Sequence, residues 1–332
     1  MPRIRAFWGW LDHCLQMCQS IFLWLRLYKI IATLIRTTAQ AHLHPRCHFK
    51  MIQENIEHVN VYGVLHSPWV QAVLLGLHEK DISHSIQPIP SLSSLVSSGL
   101  MMPAAKINKG SWQLDSEEIL KSIGYEGINN VDKRAIFRTW DGVLHRVDNP
   151  FKFFHGFSLN KYDHPSFLVR GLNSFLRPFI TYYFFTLISF LIFRGKRRDP
   201  DSFAEQFLPW ERRLSQTGSL YFGGSSPNAV DLQLFGIVQC HCSIPYAPLL
   251  ETIQSDPALS QYREWIGRMQ KHFADYKHLY SGQHFRPETP VAQRSSFLER
   301  VVYWFGAVSM LLLLPITLLS VFALAFLPNR NY

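Results

Sequence analysis

Apolar and polar positions first fall into register along "VNVYGVLHSPWVQAVLLGL". Val59, Val61 and Val64 give a β-like run. Val70, Val73, Leu74 and Leu77 then recur at helical spacing. The change of period falls on His66-Ser67-Pro68-Trp69, where Ser67 can cap a helix and Pro68 suits its first position. A second strand-like stretch, "HSIQPIP", is followed by a loop, then "AAKI", a polar turn "NKGS", "WQL", and a helix opened by Asp115-Ser116. From Asn130 to Tyr280 the pattern is helical almost throughout. A strand that delivers a hydroxyl to a helix N-terminus is a place where an anion can be held. Simple capping by Ser67 accounts for the same residues, and both readings stay open.

Three apolar stretches lie outside this alternation. "VVYWFGAVSMLLLLPITLLSVFALAFLP" carries no charge, which predicts one C-terminal transmembrane helix over 301–327, with the main domains on the cytoplasmic side. "PFITYYFFTLISFLIF", at 178–193, is short for a span, and its tyrosines and threonine favour a buried or interfacial helix over a second crossing. Residues 1–56 read as an apolar, amphipathic extension interrupted by Arg26, Lys29 and Arg36.

Composition narrows the classes. Charged residues are only 17% of the 332, and the formal net charge of +9 suits an anionic lipid surface. No basic stripe interleaved with aromatics suggests nucleic acid. The five cysteines have no framework spacing. "HLHPRCHF" is the only ligand-dense tract and has no second half, so no metal is expected. His66 beside Ser67 lacks the nucleophile elbow and carboxylate of a hydrolase.

The order of elements, with Ser67-Pro68 after the first strand, Met102-Pro103 before "AAKI", and Asp115-Ser116 opening a helix, resembles the glutathione transferase superfamily. "LYFGGSSPNAVDLQLFGIV" resembles that family's helix-entry motif, with Asn228 as N-cap and Asp231 closing a capping box. "DPALSQYREWIGRMQ" resembles its helix carrying a Trp and a Met on one face. The resemblance covers roughly Val59 to Phe273. It implies an α/β thioredoxin-like domain (57–126) followed by an all-α domain (127–285) with a long insert near 150–200, then a juxtamembrane and membrane segment (286–332).

For chemistry, the resemblance implies glutathione as co-substrate and Ser67 as donor to its sulfur. The Met102 backbone, held by a cis Pro103, would pair with the cysteinyl unit. Ser116 would hold the γ-glutamyl carboxylate and Asp115 its ammonium. The second substrate would be an apolar electrophile, the lipid bilayer a partner, and a homodimer compatible with the fold. The long insert and the C-terminal apolar run depart from soluble members. They leave open a non-enzymatic, membrane-tethered module that keeps the fold for interaction or lipid binding.

Overall fold

The computed structural model describes residues 56–99, 101–141, 150–162, 164–193, 203–244, 248–285 and 294–319. The expected N-terminal extension, up to residue 55, and the "HLHPRCHF" tract lie outside the described residues.

Four short strands make one sheet: β1 (Val59–Tyr62), β2 (His84–Gln87), β3 (Ala104–Ile107) and β4 (Trp112–Leu114), in the order β2-β1-β3-β4. β1 and β2 are parallel, as a connection through the helix α1 (Pro68–Glu79) requires, whereas β3 is antiparallel to both β1 and β4. This is the thioredoxin-like topology expected. Alternation along β1 sends Val59 and Val61 into the main core with α1, and Tyr62 to the other face with Ala104 and Trp112. The stretch expected as a loop after β2 contains a helix, α2 (Leu92–Ser98). Its serines hide it, because serine competes locally for backbone hydrogen bonds. Here Ser91 turns that habit into a start signal, its hydroxyl accepting from the Ser94 amide at 3.2 Å. Helix α3 (Ser116–Ser122) follows β4.

The rest is helical, as expected: α4 (Asn130–Asp141), α5 (Pro150–Ser158), α6 (Phe167–Phe193), α7 (Phe203–Thr217), α8 (Ala229–Ser243), α9 (Pro248–Ser255), α10 (Ser260–His272), the single turn α11 (Gly282–Phe285) and α12 (Phe297–Leu312). Every residue of α8 is buried, which makes it the central post of the fold. Trp265 and Met269 of α10, one turn apart, are both buried in the same core. Helices α1 and α8 press together at Gly236, where an added Cβ would sit 2.3 Å from the Pro68 carbonyl oxygen.

The two described apolar stretches stand differently against expectation. The 178–193 tract is the second part of α6, a 27-residue helix with Pro178 inside it. The continuous span expected over 301–327 is interrupted within its described part: α12 stops at Leu312, and Leu313 caps it. Pro315 has no N–H to offer the Leu311 carbonyl, which accounts for the break. Among the described residues no helix is long and apolar enough to cross a membrane. Residues 320–332 lie outside them.

Candidate functional site

Strand register brings the predicted residues to one end of the sheet. Tyr62, the last residue of β1, pairs with Ala104, the first of β3, and Ala104 pairs with Leu114, the last of β4. The segments carrying Ser67, Met102-Pro103 and Asp115-Ser116 therefore leave the sheet along the same edge. The Met102-Pro103 peptide is cis. At Gly63, which opens the loop to Ser67, a Cβ would lie 2.3 Å from the Val70 side chain and 3.5 Å from Met102 Cβ. The loop, the first turn of α1 and Met102 are thus in close contact.

Ser67 caps α1 as predicted, its Oγ accepting from the Val70 amide at the long distance of 3.5 Å. Accepting that bond leaves the hydroxyl proton to donate elsewhere. The residue is only 2% exposed. Its loop is pinned from α1 by Gln71, whose Nε2 donates to the Leu65 carbonyl at 2.7 Å and whose Oε1 accepts from Tyr276 Oη at 3.0 Å. His66 sets its ring edge-on to Phe157 of α5, centroids 5.5 Å apart, and at 6.4 Å from Tyr280. Tyr183 of α6 points its hydroxyl at Met101 Sδ, 3.7 Å away. Beneath it, Tyr62 Oη is buried without a hydrogen-bond partner among the described residues. Burial, with a smaller contribution from Tyr183, holds the Tyr62 phenol far above its ordinary range.

Asp115 sits at φ +75° and caps α3 by accepting from the Glu117 amide at 2.8 Å. Its side chain is exposed, while Ser116 is buried and accepts from Gln233 Nε2 of α8 at 3.4 Å. Glu117 is buried against Lys133 of α4 at 2.6 Å and Lys121 at 2.9 Å. Burial alone would raise its pKa, but the two lysines outweigh burial and hold the carboxylate below its usual range.

Asn228 and Asp231 form the predicted capping box of α8. The Asp231 carboxylate accepts from the backbone amides of Phe222, Gly223 and Asn228 and from Trp265 Nε1, at 2.8–3.0 Å. Burial nonetheless leaves its pKa raised. With every acceptor position occupied by the fold, this carboxylate has a structural role.

Gln71, Tyr183, Gln233, Tyr276 and Lys133 were not singled out from the sequence. Gln71 alone left a signal, a single amide inside the apolar run "VQAVLLGL". A separate cleft of about 590 Å³ lies at the C-terminal end of α1, lined by Glu79, Tyr125, Asp132, Arg213 and Asn228 among others. It is roughly 18 Å from Ser67 by helix rise. Two of its polar side chains are engaged within the fold: Tyr125 donates to Glu79 at 2.7 Å, and Arg213 pairs with Asp132 at 2.8 Å.

No protein-family model matches the chain. No curated protein matches it either. Among solved structures, a glutathione S-transferase I bound with lactoylglutathione is 17% identical, covering 67% of this chain and 98% of its own, at a TM-score of 0.36. Glutathione S-transferase I from "mais", in complex with an atrazine glutathione conjugate, is 20% identical, covering 70% and 99%, at 0.37. A diazinon-metabolizing glutathione S-transferase of the silkworm Bombyx mori is 13% identical, covering 68% and 96%, at 0.39.

Proposed function

We propose that the chain binds glutathione and uses it in transferase-type chemistry on an apolar electrophile. The observation that carries this reading is the register of β1, β3 and β4, which gathers Ser67, Met102-Pro103 and Asp115-Ser116 at one sheet edge beside the N-terminus of α1. Glutathione must ionise at sulfur to attack, and a free thiol has a pKa of about 8.5. One charge-assisted hydrogen bond of about 1.5–3 kcal/mol lowers that by one to two units at about 1.4 kcal/mol each. The Ser67 hydroxyl, polarised by the amide end of α1, is the donor in this proposal. The Met102 backbone meets the cysteinyl unit. Asp115 takes the ammonium of the γ-glutamyl end and Ser116 its carboxylate.

A second reading has its own observation. Ser67 is almost closed to solvent, and Ser116 is already engaged by Gln233. A module that keeps the fold for interaction, without conjugating activity, accounts for both. The variant Ser67→Ala separates the two. If Ser67 donates to a thiolate, glutathione affinity stays nearly unchanged. The pKa of the bound thiol rises by about one unit or more, and the rate with a model electrophile at neutral pH falls about tenfold or more. If Ser67 only caps, the change costs about 1 kcal/mol of stability and leaves any activity untouched.

A further inference from the structure

Helix α12 has two faces. Tyr303, Gly306, Ala307 and Met310 are buried. The approach to α6 is so close that a Cβ on Gly306 would lie 2.3 Å from the Phe175 carbonyl oxygen. On the other face Phe297, Val301, Phe305, Val308 and Leu312 recur every three or four residues, and all are exposed, Phe305 at 66% and Leu312 at 79%. Leu168 and Leu172 of α6 are exposed as well. A stripe this long exceeds the scattered apolar residues of an ordinary surface.

We propose that this face of α12, with the exposed leucines of α6, seats in one leaflet of a phospholipid bilayer without crossing it. Four observations select lipid as the occupant. First, Ser309 and Tyr303 of α12 and Thr181 of α6 satisfy their hydroxyls within the pair, as a hydrocarbon environment requires. Ser309 donates to the Phe305 carbonyl at 2.9 Å, Tyr303 to Thr181 at 3.2 Å, and Thr181 to the Arg177 carbonyl at 3.1 Å. Second, the stripe offers no polar group to a protein partner, whereas protein interfaces carry about one hydrogen bond per 100–200 Å². Third, the sequence beyond residue 319, "SVFALAFLP", is also apolar. Fourth, the net charge of +9 complements anionic headgroups. Among the described residues α12 breaks at Leu313 and helical turns resume over 314–319, so no single described helix is long and apolar enough for the ~30 Å hydrocarbon core.

The test uses the full chain, purified in detergent, diluted onto preformed vesicles of phosphatidylcholine with or without phosphatidylserine, and floated on a density gradient. The expected result is flotation, stronger with phosphatidylserine. In the double variant Phe305→Ser, Leu312→Ser the vesicle-bound to free ratio should fall about tenfold or more. Both positions are exposed, so its circular dichroism and thermal midpoint should match those of the parent chain. Because Phe305 and Leu312 are not among the residues proposed to hold glutathione, glutathione titration of this variant separates failure of the lipid reading from failure of the glutathione reading. Absence of flotation, or flotation unchanged in the double variant, overturns the proposal. So does a dimer in detergent-free sizing that the same variant dissociates, which makes a second copy the occupant. In a chain carrying Cys14→Ser, Cys18→Ser and Cys47→Ser, Asn331→Cys should make the chain reactive to an impermeant maleimide added outside the vesicles. Protection until the vesicles are opened indicates a crossing and also overturns the proposal.

Discussion

Asp231 is where one side chain holds the most structure. Its two oxygens serve three backbone amides and the Trp265 indole in a buried setting, so Asp231→Ala strands four donors at once. The expected loss is about 3 kcal/mol or more in urea unfolding, with Asp231→Asn intermediate because one acceptor oxygen remains. An unchanged midpoint for the alanine variant contradicts this account. The capping box was legible because Asn228 and Asp231 stand three apart before an apolar run; the indole and the Phe222 turn that complete it come from distant sequence. Glu117 allows a pH test. Its folded pKa lies below the usual 4.5. Its contribution is therefore fully present above that value and lost as pH falls through the lower, folded one. The stability difference between the parent chain and Glu117→Gln should be constant near neutrality and shrink as pH falls below 4.5 towards the lower folded value. A difference independent of pH means that the lysine pairs do not stabilise the charged form.

Between elements, the close approaches govern the fold. Gly236→Val places side-chain atoms against the Pro68 backbone, which cannot rotate away as a side chain can. Separating α1 from α8 should cost about 1–3 kcal/mol in unfolding and shift the loop that carries Ser67. Retention of parent stability indicates that the contact between these helices is looser than described. Neither this glycine nor Gly306 could be picked out in advance. Periodicity reports which face of a helix is buried, not which residue meets a neighbouring backbone, and α8, buried all round, has no polar face to orient it. The α6 boundary was missed for a related reason. The apolar tract begins at Pro178, yet the helix begins at Phe167 and carries the proline inside it.

Across the whole molecule, the β–α–β unit, the following antiparallel hairpin and the helical second half were legible from alternation, turn residues and helix starts. The common edge of the three candidate segments needed only the register of four short strands. What the pattern could not supply was accessibility. Burial of Ser67 and capture of Ser116 by Gln233 depend on helices more than a hundred residues away in the chain. The C-terminal apolar run was read as a span from its lack of charge, but that lack says nothing about where the helix breaks or which side faces α6. The central claim is that the sheet edge beside Ser67 holds glutathione. Calorimetric titration of the full chain with reduced glutathione tests it most directly. The account predicts saturable one-site binding that is weakened when Asp115→Ala and Ser116→Ala are combined. Absence of binding at millimolar glutathione, or binding indifferent to that double change, contradicts it.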